Sequence, residues 1–268
     1  RDLGCGAFFA VCQGNPKGFD RLVRLRCSTD VSALSSTPET IGSLFQSGVS
    51  GRGDRSRPVV LVGKGVCYDT GGVNLKSADN MKSMKTDMAG SSAALGVFMA
   101  LTQSGNFTNP LECWLALAEN NVNYNSYRPD DVVTAVTGDT IEMVHTDAEG
   151  RLLLADVLAL ASRKVYKKDI HGPKPIFGEV SAPRLVVDFA TLTGATIKSL
   201  TTRYIGAFTN KNFLLSDIIK AGEISGERMW PFPLDDDYAD DLQSDVADVL
   251  QCRVVSDADH IYAAMFLK

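Results

Sequence analysis

The chain has 268 residues, of which 44% are hydrophobic and 22% charged, as is typical of a globular protein with a substantial core. Its formal net charge of −5 argues against nucleic acid or an acidic membrane surface as the main partner. No apolar run reaches the roughly 18 residues of a membrane span and no signal peptide opens the chain, so no membrane partner is expected. The 6 scattered cysteines contain no CxxC pair and indicate free thiols in a reducing, cytoplasmic compartment.

Short apolar or β-branched runs alternate with helical patterns along the chain. Strands are predicted, in chain order, at Ala7–Cys12, Leu22–Cys27, Pro58–Gly63, Leu111–Ala118, Thr140–Val144 and Leu185–Phe189. Helices are predicted at Met88–Leu101, Glu149–Val165, Asn212–Gly226, where a glycine cap ends the helix, and Asp259–Lys268. Exposed connections are predicted at Thr29–Arg57 and Lys164–Pro183. The alternation predicts an α/β domain with a mixed, mainly covered sheet.

Carboxylates cluster around two segments that have the features of a site at the ends of strands. The first runs from Val62 to Asp87 and the second from His145 to Leu152; in each, an apolar strand ends near a glycine and acidic side chains precede a helix. In extended backbone, Asp147 and Glu149 would project to the same side. Carboxylates brought together from both segments would repel one another unless cations neutralised them, and two divalent metals would do so.

Simpler interpretations of the same residues stay open at this point. Each acid taken alone could be a solvated residue near a helix N-terminus, where it favours the helix dipole. Lys64 could form an ordinary salt bridge with a neighbouring acid. A two-metal phosphoesterase is a further hypothesis, although such sites commonly recruit histidines or a phosphate-binding loop, and neither is evident.

The string His-Thr-Asp-Ala-Glu-Gly-Arg-Leu at His145–Leu152 resembles the signature of the leucine aminopeptidase family with a dinuclear metal centre. His145 stands where that family usually has Asn. The resemblance covers most of the chain from about Gly4 onward. Its further matching segments are Val62–Gly96, Glu119–Leu154, Phe189–Ala195 and Gly226–Leu234.

The resemblance implies a role for ten residues. The implied metal ligands are Lys64, Asp69, Asp87, Asp147 and Glu149, of which Asp69 and Glu149 would bridge two ions of Zn²⁺ or Mn²⁺, with Mg²⁺ as a further candidate. A ligand lysine must be neutral, so its pKa would have to fall by several units from about 10.4. The implied catalytic pair is Lys76, which would stabilise the oxyanion, and Arg151, which would hold bicarbonate as general base. The implied substrate pocket contains Met84, Thr191 and Gly194.

The resemblance also implies a fold and an activity. The fold would be a metallo-exopeptidase-like α/β domain, with a mixed, mostly parallel central β-sheet covered by helices on both faces. The activity would be removal of the N-terminal residue, preferably Leu or a similar apolar residue, from peptides with a free N-terminus, by a hydroxide that two metals activate. A cytoplasmic homo-hexamer is expected. The alternative is a catalytically weak relative that acts as a binding or assembly protein.

Two departures from the family pattern affect these expectations. The segment Asp248–His260 lacks the glycine-rich loop often found there, which leaves the far wall of the substrate pocket undefined. Residues 1–268 are expected to be a catalytic metallopeptidase domain that lacks the family's N-terminal domain and C-terminal end.

Overall fold

A computed structural model describes residues 3–16, 20–27, 57–162, 166–167, 174–175, 182–255 and 257–268. Among these residues the strands are β1 (Arg21–Cys27), β2 (Val59–Asp69), β3 (Leu111–Asn120), β4 (Val132–Thr134), β5 (Thr140–Glu142), β6 (Tyr166–Lys167), β7 (Lys174–Pro175), β8 (Leu185–Phe189), β9 (Ile205–Ala207), β10 (Met229–Pro231) and β11 (Val249–Leu250). The α-helices are α1 (Gly6–Cys12), α2 (Ala78–Met81), α3 (Ala89–Gln103), α4 (Glu149–Ala161), α5 (Ala195–Leu200), α6 (Leu215–Ser225) and α7 (Asp259–Leu267). Short 3-10 turns lie at Met84–Thr86, Asn212–Leu214 and Asp236–Leu242.

The central sheet has the strand order β1-β3-β2-β8. Strand β2 pairs in parallel with β3 on one side and with β8 on the other, so that Val59 lies opposite both Leu111 and Leu185. Strand β1 is antiparallel to β3. The sheet is therefore mixed and mostly parallel, which confirms the predicted fold class.

Alternate residues of β2 face two separate layers of helices. Val60 and Val62 belong to the core that includes α1 and α4, whereas Val59 and Leu61 pack in the core that includes α3. This alternation follows from the two-residue period of a strand, and the near-continuous apolar sequence of β2 follows from burial on both faces. The next even-numbered residue of β2, Lys64, consequently lies on the α4 side of the sheet.

The prediction of a strand at Ala7–Cys12 was wrong, because this segment forms α1. A run of six apolar residues has too little length for its period to distinguish a helix from a strand. Tertiary contacts decide the outcome. The amide of Phe8 donates a hydrogen bond of 2.7 Å to the buried carboxylate of Asp156 near the start of the helix, and Ala7, Ala10 and Val11 are buried at a helical spacing.

The other predicted elements are found, with shifts at their ends. Strand β5 ends at Glu142 rather than Val144, and α4 ends at Ala161, while residues 163–165 lie outside the described part. The predicted helix Asn212–Gly226 is a 3-10 turn followed by α6, and Gly226 has a φ of 78° at its C-cap, which confirms the glycine cap.

The two predicted connections lie largely outside the described residues. Within the second connection, β6 and β7 pair in an antiparallel arrangement. In the described part of the chain, no helix is long and apolar enough to span a bilayer.

Candidate metal centre

The first acidic segment leaves the central sheet at the C-terminal end of β2. Asp69 is the last residue of that strand, and its Oδ1 accepts a hydrogen bond of 2.9 Å from the amide of Gly71. Gly71 and Gly72 have φ values of 89° and 67°, which a glycine adopts without strain, so the chain turns back immediately after the strand. The turn places Lys76 next to Asp69, with 3.0 Å between its Nζ and Asp69 Oδ2.

The second acidic segment reaches the same place from the loop between β5 and α4. One carboxylate oxygen from each of Asp69, Asp147 and Glu149 lies within 4.8 Å of the others. The extended backbone expected between Asp147 and Glu149 is not found, because Asp147 lies in a turn and Glu149 begins α4. The side chains converge all the same, through the turn rather than through strand geometry.

Lys64 and Asp87 complete the cluster on the buried side. The Nζ atom of Lys64 lies 2.9 Å from Asp87 Oδ1 and 2.8 Å from Glu149 Oε1, and it donates a third bond of 2.8 Å to the carbonyl oxygen of Thr191. Asp87 follows the 3-10 turn Met84–Thr86 and precedes α3. Its Oδ1 also accepts a bond of 2.7 Å from the hydroxyl of Thr191.

Burial and mutual repulsion weaken the acids of this cluster. Burial raises the pKa of Glu149 to about 7, and Asp69 and Asp87 add to this effect against the opposing charge of Lys64. Burial likewise raises the pKa of Asp87 and of Asp147. Among the described residues, the four carboxylates of Asp69, Asp87, Asp147 and Glu149 form ion pairs with two ammonium groups, those of Lys64 and Lys76, so the fully ionised cluster has more negative than positive charge in direct contact.

Both lysines are held as cations by the acids. Burial by itself would lower the pKa of Lys64, but Glu149 and Asp87 outweigh it and raise the pKa above its usual value. Lys76 shows the same balance. Burial by itself would lower its pKa, but the contacts with Asp147 and Asp69 outweigh burial and raise the pKa above its usual value. The contacts of Lys64 in this structure are therefore those of the ordinary salt bridge that the sequence left open as the simpler interpretation.

The donor set suits hard or borderline divalent cations. Carboxylate oxygens are ligands for Zn²⁺, Mn²⁺ and Mg²⁺ alike. Asp87 Oδ2 is buried and has no hydrogen-bond partner among the described residues, so a buried oxygen that carries charge is left for a ligand to satisfy. The ammonium of Lys64 lies between two acids, at a position where a metal cation would also be attracted. Because a metal ligand must be deprotonated, metal binding there would release a proton from Lys64.

Arg151 lies at the edge of the cluster on the first turn of α4. Its side chain is buried, and its Nη1 donates a hydrogen bond of 3.0 Å to the carbonyl oxygen of Gln251. Burial lowers the pKa of this guanidinium from its usual value. An arginine remains a cation under such a shift, and its planar fork suits a carboxylate-like anion.

Two polar residues that the sequence did not indicate connect the acidic segments. Asn120, the last residue of β3, donates 2.9 Å hydrogen bonds from Nδ2 to Asp69 Oδ1 and to the carbonyl oxygen of Thr146. The hydroxyl of Tyr127 donates a bond of 2.7 Å to the same carbonyl. Asn120 could have been suspected, because it is a polar residue at the C-terminal end of a buried strand beside β2. Nothing local in the sequence indicates that Tyr127 plays this role.

One cavity of about 1220 Å³ contains the whole set of ligand, catalytic and pocket residues. Thr191 was expected only as a residue of the substrate pocket. Its hydroxyl also donates a hydrogen bond to Asp87 and so orients a candidate metal ligand. His145 also lines the cavity, and its Nδ1 accepts a bond of 3.2 Å from the amide of Asp147. The sequence-predicted lining residues found there are Lys64, Asp69, Lys76, Met84, Asp87, Asp147, Glu149, Arg151, Thr191 and Gly194.

The segment after Asp248 forms part of the cavity wall. Strand β11 pairs in parallel with β5, and Cys252, Arg253 and Val254 line the cavity beyond it. The hydroxyl of Tyr262 accepts a hydrogen bond of 2.9 Å from Arg253. Asp259 and His260 at the start of α7 also line the cavity, so this segment and α7 together form one of its walls.

Comparison with known proteins gives a consistent result. The sequence model of the cytosol aminopeptidase family, catalytic domain, matches residues 3–268. A probable cytosol aminopeptidase of Wolbachia pipientis wMel is 41% identical over 221 residues, which are 82% of this chain and 41% of that protein. A probable cytosol aminopeptidase of Phytoplasma australiense is 38% identical over 218 residues, 81% of this chain and 41% of that protein.

Solved structures show the same likeness. Leucyl aminopeptidase of Leishmania major in complex with actinonin superposes with a TM-score of 0.82 at 28% identity, covering 100% of this chain and 45% of that one. Leucyl aminopeptidase of Trypanosoma brucei in complex with bestatin gives a TM-score of 0.80 at 30% identity, covering 99% of this chain and 44% of that one. The chain spans about two fifths of the length of the curated relatives it matches.

Proposed function

The chain belongs to the cytosol aminopeptidase family, and we propose that it is the catalytic part of a metal-dependent aminopeptidase that removes the N-terminal residue from peptides. One observation carries the proposal: the candidate ligands and both candidate catalytic residues line a single cavity. A chance arrangement of solvated acids would not bury Lys64 in contact with both Asp87 and Glu149.

The cluster would hold two divalent cations, Zn²⁺ or Mn²⁺ or also Mg²⁺, through the ligands Lys64, Asp69, Asp87, Asp147 and Glu149. Bound cations would neutralise the acids, polarise the scissile carbonyl and lower the pKa of a water. The protein's own part is to keep the ligands aimed inward. Asn120 does this for Asp69, and Thr191 does it for Asp87.

Lys76 would stabilise the negative charge that develops on the carbonyl oxygen during hydrolysis. Its ammonium is held by Asp69 and Asp147, remains protonated because those acids raise its pKa, and faces the cavity. A positive charge placed beside the developing oxyanion favours the transition state more than the neutral substrate.

Arg151 would bind the anion that serves as general base. Its guanidinium is buried, lines the cavity and gives one hydrogen bond, to Gln251, among the described residues, so further N–H groups are left for an anion. Bicarbonate bound there would supply a proton acceptor next to the reacting water.

Substrate selection would depend on the acidic end of the cavity and on its apolar wall. The free α-amine of a peptide, in its neutral form, would be a ligand for the cations held by the carboxylates, which favours cleavage at a free N-terminus. Met84, Thr191 and Gly194 would contact the first side chain, for which Leu or a similar apolar residue is preferred. Because the Trypanosoma brucei relative forms a complex with bestatin, we expect bestatin to occupy this cavity and inhibit hydrolysis.

Assembly and location follow from the family in the same way. The relatives described as cytosol aminopeptidases support a cytoplasmic location. The homo-hexamer stays a prediction.

Product analysis separates the peptidase from the phosphoesterase hypothesis. Protein loaded with Mn²⁺ or Zn²⁺ is incubated with leucine amide in one arm and with an aryl phosphate ester in the other. We expect release of leucine and no release of phosphate. Release of phosphate alone would replace the peptidase by a two-metal phosphoesterase.

A further inference from the structure

The segment Asp248–His260, which departs from the family pattern, runs beside the turn that carries the second acidic segment. Strand β11 places it there: Leu250 lies opposite Glu142 of β5, and the amide of Gln251 donates a hydrogen bond of 2.9 Å to the carbonyl oxygen of Glu142. The pairing directs Gln251 into the protein, where it is 0% exposed. A buried amide side chain in such a place has to be satisfied by neighbouring polar groups.

Gln251 satisfies its polar groups on the backbone around the acidic turn. Its Oε1 accepts hydrogen bonds of 3.0 Å from the amides of Val144 and His145, which precede the turn. Its Nε2 donates a bond of 3.1 Å to the carbonyl oxygen of Ala148, which follows the turn. Its own carbonyl oxygen accepts the 3.0 Å bond from Arg151 Nη1. One residue therefore contacts both ends of the turn and the guanidinium beyond it.

The turn needs such support because it carries two acids that repel each other. Asp147 and Glu149 lie close to one another and to Asp69, and Glu149 is buried. Without fixed backbone on both sides, the turn would relax by moving the carboxylates apart, which would degrade a metal site. Groups that orient metal ligands from outside the coordination sphere commonly change metal affinity or activity 10- to 100-fold when they are removed.

We propose that Gln251 is a positioning residue that holds the turn around Asp147 and thereby aims Asp147, Glu149 and Arg151 at bound metal and anion. The inference rests on the metal site of the proposed function. It assigns a role to the segment Asp248–His260, which would support the site through the backbone of the turn and through Arg151.

The test compares Gln251→Met with Gln243→Met in the full protein. The first change keeps the size of a buried side chain and removes three hydrogen bonds; the second makes the same chemical change at an exposed position. Metal-free protein is titrated with Zn²⁺ or Mn²⁺ alone in a calorimeter, and kcat and KM for leucine amide are measured after loading. For Gln251→Met we expect roughly 10-fold weaker metal binding and a similar fall in kcat, with KM changed less than about twofold. Gln243→Met should match the wild type.

A residue that only stabilised the fold would behave differently. It would lower the unfolding temperature and leave the metal affinity of the folded protein unchanged, and that result would overturn the proposal. Should Gln251→Met fail to fold, Gln251→Glu decides. Glu keeps an acceptor for Val144 and His145 but turns the contact with Ala148 into a repulsion, so metal binding weaker by at least about threefold is expected. Wild-type affinity in that variant would equally overturn it.

Failure of the proposed function gives a different pattern from failure of this inference. A wild type that binds metal and hydrolyses nothing would contradict the aminopeptidase proposal, whereas the metal titrations of the Gln251 variants would still report on positioning. Wild-type metal affinity in both Gln251 variants, together with normal hydrolysis, would contradict the role of Gln251 and leave the aminopeptidase proposal unaffected.

Discussion

Gly150 lies directly against the side chain of Lys64. A Cβ atom added at Gly150 would stand 2.6 Å from Lys64 Cε and 2.8 Å from Nζ. A free lysine could move away, but this one is fixed by Asp87 and Glu149 and by a backbone carbonyl. The first turn of α4 therefore requires a glycine so that Lys64 can reach the acids.

The Gly150→Ala variant should consequently lose activity while it stays folded. We expect kcat/KM to fall at least roughly tenfold because Lys64 is displaced from the cluster. Stability should fall by about 2–4 kcal/mol, since the roughly 1 kcal/mol that alanine gains over glycine in a helix does not offset the loss of the buried ion pairs of Lys64 with Asp87 and Glu149. Activity and thermal unfolding are measured together.

Gly96→Ala is the matched control for that variant. Gly96 lies within α3 and a Cβ there meets nothing within 4 Å, so stability should rise by about 0.5–1 kcal/mol without loss of activity. Equal activity of Gly150→Ala and the wild type would show that the position of Lys64 is not needed.

Replacing Lys76 should separate catalysis from metal binding. In Lys76→Met the positive charge that faces the developing oxyanion is lost, and kcat should fall about 10²- to 10³-fold. Metal affinity should not fall, because the ammonium of Lys76 competes with cations for Asp69 and Asp147. Calorimetric titration beside steady-state kinetics checks both quantities, with the exposed Lys82→Met as the control. Loss of metal binding in Lys76→Met would contradict the assigned role.

A variant of Thr191 tests whether this residue orients the candidate metal ligand Asp87 or only contacts the substrate. Thr191→Val keeps the shape and removes the 2.7 Å hydrogen bond to Asp87 Oδ1, so we expect roughly tenfold weaker metal binding. Thr193→Val is the matched control, because Thr193 lines the same cavity and its Oγ1 has no hydrogen-bond partner among the described residues. A change in KM with unaltered metal affinity in Thr191→Val would restrict Thr191 to the substrate pocket.

Asp156 should make stability depend on pH. Burial raises its pKa to about 6, against hydrogen bonds from the amides of Phe8 and Val136 that favour the charged form. In the unfolded chain an aspartate titrates near pH 3.9, so the folded state binds the proton more tightly. The resulting stabilisation is complete below about pH 4 and is lost as the pH rises through about 6.

The matched variant is Asp156→Asn, which cannot ionise. Urea unfolding of both proteins between pH 4 and 7 should show the wild type losing about 2–3 kcal/mol relative to the variant as the pH rises. Both proteins share every other acid, so their contributions cancel in the difference. Parallel curves would mean that Asp156 titrates near its ordinary value in the folded protein.

The sheet and the acidic cluster were predictable from sequence for physical reasons. Strands β2, β3 and β8 are apolar runs bounded by turn residues, and burial on both faces of a parallel sheet requires such runs. Asp69 ends one of them and Glu149 opens a helix, which are the positions that place side chains at the C-terminal edge of a sheet. The position of Lys64 beside Glu149 then follows from strand alternation.

The remainder depended on contacts between residues far apart in sequence. The segment Ala7–Cys12 carries no decisive period, and the carboxylate of Asp156 is among the groups that hold it as a helix. Gln251 lies more than 100 residues from the turn that it supports, in a segment whose sequence departs from the family pattern. Long-range hydrogen bonds of this kind leave no periodic pattern in a single sequence.

The most direct test of the account is hydrolysis of leucine amide by metal-stripped protein before and after reloading with Zn²⁺, Mn²⁺ or Mg²⁺. Asp147→Asn and an N-acetylated substrate are assayed beside it. The account predicts that activity returns with metal, falls by orders of magnitude in Asp147→Asn, and is absent on the blocked substrate. Full-length, correctly assembled protein that binds metal and releases no leucine would contradict it, and would instead favour a catalytically weak relative that binds peptides without cleaving them.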